Sequence, residues 1–158
     1  MMLYVSTLKL DQISAIPRGR YPLPISTILA QITSDRLVLA GVHLSAADNL
    51  LAGLQFRSSI SRSYYAMYHA ARAIAYASHG GDDYEKHSVL PRNLPGGLDQ
   101  LALRESQLTD ARLLRNQADY DPYPALAPDW EPDARSLYVT ASEFVNACED
   151  FSLDNGLV

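Results

Sequence analysis

The sequence predicts an all-α fold: an antiparallel up-and-down bundle of four to five helices behind an irregular N-terminal arm. Three observations carry the all-α part of this expectation. Apolar residues recur at three- and four-residue steps in four separate segments. No segment shows the two-residue alternation of a strand. The breaks between segments are rich in Gly and Pro. The expected boundaries are an arm or short extra helix over 1–33, the bundle over 34–152, and a tail over 153–158.

Taken in order, residues 1–23 carry no clear period, and IPRGRYPLP (16–24) reads as an extended arm. From Ile25 the pattern turns helical. Ser34 or Asp35 is a candidate cap for a helix reaching about Leu51, with Leu37, Ala40, Leu44, Ala47 and Leu51 as its apolar stripe. Gly53 breaks it. A second helix is expected from about Gln55 to Ser78, ended by Gly80-Gly81. Residues 82–97 form a polar, proline-broken connection with room for one helical turn. A third helix runs from about Leu98 to Asp119 and stops before Pro122. A proline-rich loop over 119–132 leads to a fourth helix, about Pro132 to Phe151.

The bulk composition sets further bounds. A hydrophobic share of 47% with 20% charged residues is that of a globular domain. No run of about 18 apolar residues is present, so no membrane span is expected. The first residues lack the basic flank and apolar core of a signal peptide. A cytoplasmic location follows as the expectation. The single Cys148 excludes an internal disulfide. No Cys/His cluster has zinc spacing and no Gly-rich phosphate loop appears, so neither a metal nor a cofactor is expected. Charge is uneven: residues 1–80 hold seven Lys/Arg and three Asp/Glu, while residues 81–158 hold six and fifteen. Either the two halves simply pack together, or the first presents a basic face to an anionic partner.

Two helices carry unusual faces. On the second, Ile60, Tyr64, Met67, Ala71 and Ile74 fall on one side, while Arg62, Tyr65, His69, Arg72 and Tyr76 form a stripe on another. Alternating basic and aromatic groups can hold phosphates and stack unpaired bases; the same tyrosines serve equally as packing. On the third helix, Arg104 and Arg115 project into an apolar sector made by Leu101, Leu103, Leu108, Ala111, Leu114 and Ala118. A core-facing arginine needs a partner. Asp119 lies four residues after Arg115, within reach on a helix. The spacing allows a closing ion pair or an anion site.

Residues 46–78, AADNLLAGLQFRSSISRSYYAMYHAARAIAYAS, with KHS at 86–88 and LRNQADYDP at 114–122, resemble the HEPN-domain family. The likeness covers roughly residues 34–150. It implies a helical bundle that often dimerises. It also implies RNA binding or metal-independent RNA cleavage, frequently as a toxin of a prokaryotic toxin–antitoxin pair and sometimes beside a minimal nucleotidyltransferase. Active relatives carry an arginine, usually followed by a polar residue, and then a histidine after about four to six intervening residues. Arg115 and Asn116 match the first two, but Tyr120 stands where the histidine would come after four intervening residues, and Tyr123 follows after seven. Tyrosine, with an ordinary pKa near 10, is a poor base at neutral pH. His69 from the second helix could supply the histidine if the fold brings it beside Arg115, with His87 a lesser candidate.

The resemblance therefore implies Arg115, Asn116, Tyr120 and His69 as catalytic candidates. With the inward arginine and the basic–aromatic stripe, it points to Arg115, Asp119, Arg62, Tyr65 and Arg72 as RNA contacts. The function expected is an RNA-binding component of a toxin–antitoxin or defence module, with a degenerate ribonuclease site. The alternative is a non-catalytic module that dimerises or pairs with a nucleotidyltransferase. A small-nucleotide binder is a third reading.

Overall fold

A computed structural model describes residues 4–15 and 24–158. These contain five α-helices: α1 (Thr7–Ser14), α2 (Ile25–Ala52), α3 (Phe56–His79), α4 (Leu101–Tyr120) and α5 (Glu131–Asp154). Short 3₁₀ turns, Leu90–Asn93 and Ala127–Trp130, lie in the two long connections, and no strand occurs among the described residues. The expected extended arm over 16–24 lies, Pro24 apart, outside the described residues.

α3 is the central helix and packs against α2, α4 and α5. Its stripe of Ile60, Tyr64, Met67, Ala71 and Ile74 is fully buried, as the period requires. Each such large side chain contributes roughly 1.5–3 kcal/mol on burial. Ala66, Ala70, Ala73 and Ala75 are buried too, and their small size lets neighbouring helices approach closely. Ser59 Oγ donates to the Ala47 carbonyl at 2.9 Å, which ties α3 to α2. α3 ends at Gly80, whose φ of 72° is the left-handed conformation that suits glycine.

Two expectations change. Ser34 and Asp35 cap nothing: α2 starts nine residues earlier, at Ile25, and runs through the boundary placed at 34. The polar groups are absorbed locally, because Thr33 Oγ1 donates to the Leu29 carbonyl and Gln31 donates to Asp35. The helix therefore needs no break there. The second change concerns hydropathy. By length and composition α2 is apolar enough to cross a bilayer, although no long unbroken apolar run exists. Its buried face carries Arg36, held by Asp82, and lies along α3. Val38, Leu39 and Val42 remain exposed on another face.

The segment after α3 is pinned by charge. Asp82 is buried and accepts from Arg72 Nε at 2.9 Å, from Arg72 Nη2, and from Arg36 Nη2 at 3.5 Å. One carboxylate thus joins α2, α3 and the start of the α3–α4 connection. α1 docks on the same corner: Val5 accepts from the Asp82 amide, and Thr7 donates its amide to Asp83 at 2.9 Å and its hydroxyl to the His79 carbonyl.

Candidate functional site

α4 delivers Arg115 into the bundle. Arg104, Leu108, Ala111, Arg115 and Ala118 make its buried face, so both arginines project inward as their spacing predicts. Arg115 is only 9% exposed. Its Nη1 donates to Asn116 Oδ1 at 3.2 Å and lies 3.6 Å from Asp119 Oδ2. Its Nη2 donates to the Tyr65 hydroxyl at 3.2 Å. The guanidinium carbon lies 5.3 Å from the ring centres of both Tyr64 and Tyr65. Arg115 is therefore more than a helix closure. Its charge is spread over two aromatic faces of α3, an arrangement that offsets its loss of water.

The α3–α4 connection brings His87 to the same rings. Its imidazole stacks on Tyr68 at 4.1 Å, and its Nδ1 is hydrogen-bonded to the Tyr64 hydroxyl. Burial raises the Tyr64 phenol well above its ordinary value, so this hydroxyl keeps its proton. Burial, then Arg115, Arg72 and Arg112, lower the His87 pKa. In the tautomer whose Nδ1 accepts from Tyr64, neutral His87 carries its proton on Nε2. That nitrogen is a donor suited to an anionic oxygen.

His69 occupies the other edge of the cluster. It stacks on His43 of α2 with ring centres 5.2 Å apart, and meets Tyr68 edge-on. Its Nδ1 is buried without a hydrogen-bond partner. Burial, followed by His43 and the nearby arginines, holds its pKa down to about 4. Burial and Arg62 lower His43 as well. The exposed Arg62 points an Nη1–H at His43 Nδ1 at 3.5 Å. The three histidines are thus uncharged at neutral pH, and the positive charge of the patch comes from arginines.

Set beside the sequence, this cluster unites Arg115, Asn116, Asp119 and Tyr65, with Arg62 and His69 at its far side. The histidine that reaches the Tyr64 end is His87, and the bonds of Arg115 go to Tyr65 and Asn116 rather than to His69. Arg72 is spent elsewhere: it is 8% exposed, grips Asp82, and also meets Glu85 at 3.4 Å. Tyr120 is 75% exposed on the last turn of α4, away from these contacts, and Tyr123 is equally open. His43 was not singled out from the sequence. The signal was present, since Arg36, Ala40, His43 and Ala47 follow steps of four, three and four along the α3-facing side of α2.

Chemically, the patch offers flat rings, a shielded guanidinium and neutral imidazole donors. Such a surface suits a phosphate flanked by unpaired bases. A family model described as the HEPN domain matches residues 34–151, which contain every residue of this cluster. No curated protein sequence matches the chain.

Proposed function

The chain belongs to the HEPN-domain family, and from that premise we propose that it binds single-stranded RNA through the Arg115–Tyr65–His87 cluster. The observation that carries this reading is the guanidinium of Arg115 set over Tyr64 and Tyr65, with His87 hydrogen-bonded to the same Tyr64. Arg115 and Arg112 would face a phosphate, Asn116 and Nε2 of His87 would donate to its oxygens, and Tyr65 would stack on a base. Binding is favoured over cleavage because Tyr120, not a histidine, stands at the motif position and lies exposed, away from the Arg115 contacts. In a cell the protein would act within a toxin–antitoxin or defence module, beside a nucleotidyltransferase-type partner.

The test is anisotropy with a labelled single-stranded RNA at several salt concentrations. Affinity should fall steeply with salt. Arg115→Ala should weaken binding at least about tenfold while the helical signal persists, whereas Tyr120→Ala should not. Equal binding by the Arg115 variant and the parent would overturn the reading. Incubation with an RNA pool, with and without chelator, examines cleavage separately. Products that survive the chelator and vanish in His87→Ala would make the site catalytic.

A homodimer is a second part of the proposal. Val38 and Leu153 are exposed and line an apolar groove of 320 Å³ with Leu37 and Val158, and Val42, also exposed, lies one turn beyond Val38 on α2. A second copy would cover this face. Sedimentation of Val38→Asp, compared with the parent, decides it: a monomer is expected from the variant alone.

A further inference from the structure

α4 buries two arginines, and they differ in how their charge is met. Arg115 has Asp119, Asn116 and two tyrosine faces. Arg104 is equally inaccessible at 8% exposure, yet no carboxylate lies within ion-pairing distance of it among the described residues. Its one hydrogen bond runs from Nη1 to Gln107 Oε1 at 3.1 Å, and its Nε is buried with no partner. A guanidinium has five N–H donors, so most of its capacity is unused. Leaving such a charge uncompensated costs several kcal/mol in general.

Arg104 lines a cavity of 390 Å³ between α4 and α5, a volume within the range of small-ligand sites. Asp99, Glu143, Asp150 and Asp154 also line it, and the Phe151 ring supplies an apolar wall. The charge pattern restricts what can enter. A simple anion would suit Arg104 but meet four carboxylates. A simple cation would suit the carboxylates but leave Arg104 unpaired and facing like charge. A ligand with a carboxylate at one end and more than one ammonium group answers both demands.

We propose that this cavity is a binding site for a free basic α-amino acid, its carboxylate paired with Arg104 and its ammonium groups with the acidic rim. Arg104 forms the planar two-point contact that suits a carboxylate. Asp150 and its neighbours hold the ammonium groups, and the aliphatic stem lies along Phe151. This site shares no residue with the Arg115 cluster, so it stands or falls independently of RNA binding.

The experiment is an amide NMR titration of the full chain with L-lysine, cadaverine and hexanoate, each at physiological ionic strength. L-lysine should bind saturably and shift signals around Arg104 and Phe151. Cadaverine, which lacks the carboxylate, and hexanoate, which lacks the ammonium groups, should bind at least tenfold more weakly. Arg104→Gln should reduce L-lysine affinity at least tenfold, and Asp150→Asn should reduce it severalfold. If Arg104→Gln does not fold, Arg104→Lys keeps the charge but not the fork and should still weaken binding. The proposal is overturned if cadaverine binds as well as L-lysine, if a folded Arg104 variant binds L-lysine like the parent, or if no titration saturates.

Discussion

The hydroxyl of Tyr64 is hydrogen-bonded to Nδ1 of His87, so a residue of α3 holds the ring of a histidine carried by the α3–α4 connection. Donation to Nδ1 is possible only while that nitrogen is unprotonated. With Tyr64 as donor the bond favours the neutral imidazole, in the same direction as burial and the nearby arginines.

Tyr64→Phe removes the donor and keeps the ring. The His87 pKa should then rise toward its ordinary value, which NMR titration of the ring protons would follow. Stability should fall by about 1 kcal/mol, the usual worth of one such bond. The substituted ring should still meet the Arg115 guanidinium, so RNA affinity should drop less than in Arg115→Ala. An unchanged His87 titration would mean that the bond does not set its protonation.

The histidine cluster predicts acid sensitivity. His69 is held down to about 4 by burial, with His43, Arg36, Arg72 and His87 adding like charge around it. Folded His69 thus stays neutral where unfolded His69, with an ordinary pKa of 6.5, already binds a proton. Its contribution is fully present above about pH 6.5 and is lost as pH falls from there toward about 4. His43 and His87, also lowered, act in the same direction. Urea unfolding at pH 7.5, 6 and 5 should show a declining midpoint. His69→Gln should flatten part of that decline. Parallel declines in variant and parent would count against the assignment.

Asp82 should be the most costly carboxylate to remove. It is buried and accepts from Arg72 on α3 and Arg36 on α2. Asp82→Ala leaves both guanidinium groups without this partner, a change expected to cost about 3–5 kcal/mol. The neighbouring Asp83 is exposed and, among the described residues, its side chain bonds Thr7 alone. Asp83→Ala should cost about 1 kcal/mol or less. Denaturant midpoints of the two variants give the comparison, and equal losses would refute it.

The period of apolar residues made the long helices legible, because burial along α3 follows from spacing alone. Ser34 and Asp35 misled because a cap residue in mid-helix can satisfy itself locally, as Asp35 does with Gln31. Both inward arginines of α4 were readable, since a wheel places a charge without knowing its partner. The partner was not readable. Tyr65 lies 50 residues from Arg115 in sequence. His87 lies in an irregular connection where no period applies, so only the folded chain shows that it, rather than His69, bonds to the Tyr64 beneath Arg115. Arg72 looked available on a helical stripe, but Asp82, ten residues on, turns back to occupy it. Long-range charge pairing is what spacing leaves out.

The same corner of the molecule supplies the last prediction. α1 lies outside the residues that the family model matches, yet it rests against Gly81 at close range. A Cβ built on Gly81 would collide with the Thr7 backbone nitrogen and lie 2.8 Å from the Ser6 carbonyl carbon. The obstacle is main chain, so no rotamer change relieves it. Gly81→Ala must displace Thr7, which breaks its bonds to Asp83 and His79 and the Val5–Asp82 bond. The bundle helices do not depend on these bonds. Hydrogen exchange should therefore quicken at Thr7, Leu10 and Asp82 while the amides of α3 and α5 keep their protection. The stability loss should lie in the ordinary range of about 0.5–3 kcal/mol. Because Asp82 also anchors the connection that carries His87, the His87 signals should broaden or shift in the same sample. If exchange quickens at α1 while His87 is undisturbed, α1 is an independent attachment; if exchange at Thr7 does not change, the close approach at Gly81 is not what holds it.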